Sequence, residues 1–171
     1  MKSGTWTRLD QVARRLLPFL ITVGLVVLSQ VPMHLPAAVS ITPAFALISV
    51  YFWALHQPEL MPAPLVFIVG LLQDILSGVP IGLNAFVLLI VYGLVVSQAR
   101  YITGKAFGVL WWAFATLAVV IGVAQWCLMS LLARQFISPV PVAVEYLTTA
   151  AIYPVVAYVF VLTHRSILRE A

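Results

Sequence analysis

The sequence predicts an all-α integral membrane protein of six transmembrane helices. Three observations lead there: 63% of the 171 residues are hydrophobic, only 8% are charged, and the apolar residues gather into six runs parted by short connectors. A soluble domain carries about a quarter charged residues. Here 9 Lys and Arg with 5 Asp and Glu would have to coat an entire water-facing surface, which they are too few to do. The mean hydropathy of +1.10 fits a chain whose main solvent is lipid.

A helix needs about 20 apolar residues to cross about 30 Å of hydrocarbon. By that measure the runs are Leu16 to Val31, Ala37 to Leu55, Leu60 to Leu76, Ile81 to Gln98, Phe107 to Leu132 and Val142 to Leu162. Proline, glycine or polar residues fill the connectors at 32–36, 56–59, 77–80, 99–106 and 133–141, and none can hold a soluble domain. The chain therefore reads as one membrane domain: an N-terminal segment over 1–15, a six-helix bundle over 16–162 and a tail over 163–171.

Before the first run, Trp6, Leu9, Val12 and Leu16 recur at helical spacing with Arg8, Asp10 and Arg15 off that stripe, as in an amphipathic helix lying in the interface. The basic start and the apolar run resemble a signal peptide. The basic region is too long and further spans follow, so an uncleaved anchor is expected. The third run is the weakest span, with Pro62 and Pro64 at its start and Gln73 and Asp74 near its end.

Basic residues arbitrate the span count. With six spans and the N-terminus inside, the cytoplasm holds Lys2, Arg8, Arg14, Arg15, Arg100, Lys105, Arg165 and Arg169, against Arg134 outside. Dropping the third span moves four of those eight outside, which the positive-inside rule disfavours. Both termini are thus expected in the cytoplasm. The basic tails suit anchoring to anionic lipid, and no stretch is long enough to form a nucleic-acid-binding face.

Chemistry is sparse. The histidines fall on opposite sides, His34 outside and His56 and His164 inside, and the lone Cys127 lies within an apolar run, so no metal shell is expected. HExxH, CxxC, phosphate-loop and G-x-S-x-G patterns are absent, and neither an enzymatic centre nor a cofactor is expected. Asp74 and Glu145 are the ionisable residues within apolar runs, and burying charge in hydrocarbon is costly. Either can be a hydrated interfacial carboxylate, paired with Arg134.

Asp74 stands out because Gly70, Asp74 and Gly78 recur every four residues, on one helical stripe. Small residues beside a polar one let a second helix approach and hydrogen-bond. The expected neighbour is Asn84, after the turn at Pro80 and Gly82, or Arg134. Gly70, Asp74, Gly78, Gly82 and Asn84 form the candidate helix-packing or partner site. Ala118, Gly122 and Trp126, with Gln125 beside them, form a second close-packing stripe. Tyr51, Trp53, Tyr101, Trp111 and Trp112 are expected in the inner aromatic belt. Pro154 is expected to kink the last helix, with Thr148 and Thr149 satisfying backbone groups or making cross-helix contacts.

The stretch from Thr42 to Trp53, TPAFALISVYFW, and that from Gly70 to Ala85, GLLQDILSGVPIGLNA, resemble the rod shape-determining MreD family in residue type and spacing. One departure is Ala44, where many members carry a charged residue. The resemblance implies a non-catalytic subunit of the cell-elongation machinery in the bacterial inner membrane. It implies association with the bitopic protein MreC and, through it, with MreB, RodA and the elongation penicillin-binding protein. It also implies a fold similar to the substrate-binding subunits of energy-coupling-factor transporters. That architecture suggests an alternative function, a small-solute-binding subunit of a transporter. A transporter places polar groups near the midplane at broken helices, and Gln125 is the clearest such group here. A membrane-embedded hydrolase would need paired carboxylates at one depth, for which only Asp74 and Glu145 qualify.

Overall fold

The computed structural model describes residues 4–29, 43–102, 104–136 and 138–168, with side chains described over 17–29, 43–101, 104–136 and 138–161. The amphipathic stripe of the N-terminal segment, His34, the start of the second run and the basic residues of both tails lie outside these side chains. Six helices follow in order: α1 (Gly4–Ser29), α2 (Phe45–His56), α3 (Ala63–Ser77), α4 (Leu83–Ile102), α5 (Phe107–Ala133) and α6 (Val140–Leu168). The backbone of the N-terminal segment continues into the first apolar run as one helix, with Pro18 inside it, rather than breaking into a separate interfacial element.

Three of the helices are long and apolar enough to cross a membrane, over Leu83–Tyr101, Phe107–Ala133 and Val140–Val161. The other apolar helices are shorter, at Leu17–Ser29, Phe45–His56 and Ala63–Ser77. At 1.5 Å per residue α2 extends about 18 Å and α3 about 22 Å, short of the ~30 Å a full crossing needs. The prolines explain part of this. Pro62 is the N-cap of α3 and Pro64 stands in its first turn, where the missing N–H costs nothing. They start the helix instead of interrupting it.

The bundle is organised around α2, whose residues Ala46 to Leu55 are all buried. A helix apolar on every side has no face for solvent or lipid and belongs in the middle. It packs against α1, α3, α4 and α6, while α3 pairs with α4 and α5 with α6 as antiparallel neighbours. Aromatic rings join α2 to the α5–α6 pair: Tyr51 meets Phe114 and Tyr153 edge-on at centroid distances of 5.0 and 5.7 Å, and Phe52 and Trp53 both meet Phe160. Tyr51 and Trp53, at 2% and 0% exposure, are therefore core residues and not members of an aromatic belt. Tyr101 and Trp112 remain exposed at 70% and 67%.

Two proline and threonine positions show how the bundle satisfies its backbone. Pro154 has no N–H to give the Ala150 carbonyl four residues earlier, and that carbonyl accepts the Trp111 indole N–H from α5 at 2.9 Å. Thr149 on α6 accepts the Ala44 N–H at 2.9 Å, fixing the start of α2, and donates to the Glu145 carbonyl at 2.6 Å. Thr148 donates to the Val144 carbonyl within its own helix.

Candidate functional site

The last turn of α3 and the first turn of α4 form the centre of a polar junction. The helix ends at Ser77 with Gly78 as its C-cap in the left-handed conformation, φ 66, which glycine adopts without steric cost. Pro80 and Gly82, the latter at φ 98, reverse the chain so that α4 starts beside Asp74. The Asp74 carboxylate then accepts the N–H groups of Gly82 at 2.8 Å, Asn84 at 2.9 Å and Ala85 at 3.5 Å. A helix begins with N–H groups that lack intrahelical partners and with partial positive charge. Asp74 meets both needs from a neighbouring helix.

Asp74 has 0% exposure, so the hydrated interfacial carboxylate does not describe it. Nor is Arg134 its partner: that residue is the left-handed C-cap of α5, φ 51, and is exposed. Gly70, one turn before Asp74, brings the two helices together. A Cβ there would sit 2.3 Å from the Ala85 Cα, far inside the separation that two non-bonded carbon atoms tolerate. Gly78 and Gly82 differ from it. Nothing lies within 4 Å of a Cβ built on either, so both shape the turn and the four-residue stripe stops being a packing face at Gly70 and Asp74.

The junction extends across the bundle. Asn84, itself 6% exposed, accepts a hydrogen bond from the Gln125 amide of α5 at 3.3 Å, and the Gln125 carbonyl accepts the Tyr146 hydroxyl of α6. Gly122, one turn before Gln125, makes room for the Tyr146 ring: a Cβ would stand 2.9 Å from its Cδ2. Of the second stripe, Ala118 and Gly122 are buried, while Trp126 is half-buried and meets Phe136 edge-on. A polar chain thus runs from α3 through α4 and α5 to α6. Beside it lies a cavity of about 20 Å³ whose lining includes Ala44, Gln73, Asn84, Gln125, Glu145 and Tyr146.

Gly70, Asp74 and Asn84 are therefore brought together, with Gly82 at the turn. Sequence reasoning expected Thr149 to satisfy backbone groups or cross-helix contacts, and it does both, but it missed Tyr146 as a member of the polar framework. A signal existed there: a hydroxyl in an apolar run of a lipid-solvated chain must find an acceptor. The junction uses the polar groups of Asp74, Asn84, Gln125 and Tyr146 internally, while Glu145 borders the cavity. The Asp74 carboxylate faces three backbone donors, and among the described residues no three His, Cys, Asp or Glu side chains gather as metal ligands.

The family model for rod shape-determining protein MreD matches residues 11–166. The chain belongs to the MreD family. That family match and the three long apolar helices make it a membrane protein of the cell-shape class. No curated protein and no solved structure matches the chain. In this MreD family member the segment from Gly70 to Ala85 builds the junction: its glycines set the approach and the turns, and its aspartate holds the next helix.

Proposed function

We propose that the protein is a non-catalytic scaffold of the bacterial cell-elongation machinery, binding MreC in the inner membrane and helping to organise lateral peptidoglycan synthesis. MreB, RodA and the elongation penicillin-binding protein are indirect partners. Six crossings with cytoplasmic termini, and the likeness to energy-coupling-factor substrate-binding subunits, belong to the same proposal.

The observation that carries it is how the interior polar groups are used. Asp74, Asn84, Gln125 and Tyr146 bond to backbone or to one another, and the cavity beside them, about 20 Å³, has room for about one water molecule. A solute carrier needs convergent polar groups left free for its cargo and a pocket of hundreds of cubic ångströms. Polar groups already spent on internal bonds instead stiffen the bundle and hold a fixed outer surface for other membrane helices.

The test is co-purification of the full chain from native membranes in mild detergent. Recovery of MreC in defined stoichiometry supports the scaffold. Recovery of a transporter ATPase module with a tightly bound solute would replace it with the transport reading.

A further inference from the structure

The two antiparallel helix pairs end at different heights on the side of the α3–α4 turn. Gln125 of α5 bonds to Asn84 of α4 and to Tyr146 of α6, so these three residues share one level. Asn84 is the second residue of α4. Beyond that level α5 runs on from Trp126 to Ala133, about 12 Å, and α6 returns from Val140 to Glu145, about 9 Å. At the opposite end α4 stops at Ile102 and α5 starts at Phe107 across a short connector, and from there Asn84 and Gln125 are equally far along their helices, at about 27 Å. The α5–α6 hairpin therefore rises roughly 10 Å past the α3–α4 turn.

The rising part exposes apolar side chains on both helices. No residue from Trp126 to Ala133 or from Val140 to Glu145 is buried, and Leu131 is exposed at 75%. From Phe107 to Ala133 α5 carries no charge, the first being Arg134 at its C-cap. A helix in water sets charged residues along its outer face, whereas one that is hydrophobic all round belongs in a core or in lipid. Leu131 and Leu132 point about 100° apart on α5, and Val140 is exposed on α6. A protein partner would cover one face of the hairpin and leave the others bare, while acyl chains cover every face. With 27 residues α5 extends about 40 Å, and with 20 residues α4 extends about 30 Å, the thickness of an ordinary hydrocarbon layer.

We propose that the α5–α6 flank is a contact surface for long-chain phospholipid, matched to a thicker hydrocarbon layer than the α3–α4 flank takes, so that the chain gathers such lipids against Leu131, Leu132 and Val140. A mismatch between helix and bilayer costs free energy for every ångström. Tilting the whole bundle would level the step at the hairpin only by unlevelling the opposite ends of α4 and α5. Longer acyl chains at one flank remove the mismatch and leave the fold as it is. The proposal rests on α4, α5 and α6 crossing the membrane, as in the reading above, and not on which protein the scaffold binds.

The test is cysteine labelling of the full chain in vesicles of dimyristoleoyl-, dioleoyl- or dierucoyl-phosphatidylcholine, in order of rising thickness, with a charged maleimide on both sides. The chain's one cysteine is removed as Cys127→Ser. Single cysteines then enter as Ser77→Cys at the α3–α4 turn, Leu131→Cys on the rising part, Val119→Cys at mid-helix and Gln135→Cys at the tip, all at exposed positions. Gln135→Cys should label in every lipid and Val119→Cys in none. Leu131→Cys should label roughly tenfold more slowly in dierucoyl than in dimyristoleoyl lipid, and Ser77→Cys should become protected in a thinner bilayer than Leu131→Cys does. In the unmodified chain, tryptophan quenching by brominated dioleoyl lipid should be relieved more by dierucoyl than by dimyristoleoyl lipid. Leu131→Cys labelling as fast as Gln135→Cys in dierucoyl lipid would put the hairpin in water and overturn the proposal alone. So would the same dependence on chain length at Ser77 and Leu131, or a preference for the shorter lipid. Labelling of Val119→Cys would overturn the crossing of α5 and the proposal with it.

Discussion

Gly70 and Ala85 approach so closely that a Cβ on residue 70 would fall 2.3 Å from the Ala85 Cα and 2.7 Å from its amide nitrogen. Both neighbouring atoms are backbone, so no side chain can swing aside. Gly70→Ala must push α3 away from α4, and the shift lengthens the bonds from Asp74 to the first turn of α4. The expected cost is about 1–3 kcal/mol, read as lowered thermal stability of the detergent-purified chain, and Gly70→Leu should fail to accumulate in the membrane. Gly78→Ala meets no atom and faces only the left-handed strain of about 1–2 kcal/mol. Equal tolerance of Gly70→Leu and Gly78→Ala would contradict the close approach.

Asp74 should show a graded series. Asn retains one carbonyl oxygen, which can keep the Gly82 and Ala85 donors that share Oδ2, but it turns its NH2 toward the Asn84 N–H that Oδ1 accepts. Ala leaves all three donors unmet, at about 1–3 kcal/mol for each group left buried without a partner. Lys adds a cation at the positive end of α4. Stability and yield should fall in the order Asn, Ala, Lys. A chain in which Lys is as stable as the parent would return Asp74 to the role of a hydrated surface charge.

Much of this was legible in residue order, and the remainder shows where order is silent. Gly70, Asp74, Pro80, Gly82 and Asn84 lie within fifteen residues of one another, and helix periodicity with turn chemistry suffices to fold such a segment back on itself. The Tyr146 and Thr149 contacts span α5–α6 and α2–α6, and separations of 21 and 105 residues are set by how helices pack. Periodicity carries nothing about that. Tyr51 and Trp53 illustrate the same limit: aromatics near a helix end fit a belt or a core equally well, and only the encirclement of α2 decides. Gly78 matched the stripe by spacing alone, because a left-handed C-cap falls one turn after the last helical residue of the same face.

The chain from Asn84 through Gln125 to Tyr146 should behave as one unit. Gln125→Leu leaves the Asn84 and Tyr146 side chains without their partner, while Tyr146→Phe removes only the terminal hydroxyl. In a double-mutant cycle the two should be coupled by about 0.6–1.7 kcal/mol, the range of hydrogen bonds between membrane helices. Gly122→Ala probes the same contact sterically, since its Cβ would meet the Tyr146 ring at 2.9 to 3.4 Å. Additivity of Gln125→Leu and Tyr146→Phe, measured by reversible unfolding in mixed micelles, would show that the two side chains do not interact.

Arg100 and Lys105 should lie on the same side of the membrane as both chain ends, with Arg134 opposite. The helices α4, α5 and α6 are long and apolar enough to cross, and three such crossings would put Arg100 and Lys105 on the side where α6 ends and Arg134 on the other. Alkaline phosphatase fused after Arg134 should be active, and fused at Ala171 inactive. Reversed activities would invert the bundle and place its basic connector outside, against the charge bias.

The Ala150 carbonyl offers the sharpest test of how the fold handles a proline. In α6, Pro154 cannot donate to it, and the Trp111 indole N–H supplies the bond instead at 2.9 Å. Trp111→Phe keeps a large apolar ring but removes the donor, leaving the carbonyl without its partner at about 1–3 kcal/mol. Pro154→Ala alone restores a helical N–H and should be close to neutral, because the carbonyl can accept from either donor or share both. In the Pro154→Ala background, Trp111→Phe should then cost much less than in the parent, since the helix now meets the need that the indole met before. The cycle therefore has a predicted sign as well as a size, with the double variant more stable than the sum of the single changes by about 1 kcal/mol. Unfolding temperatures of the four proteins give the answer, and a Trp111→Phe cost that is the same in both backgrounds would show that the indole contributes only packing.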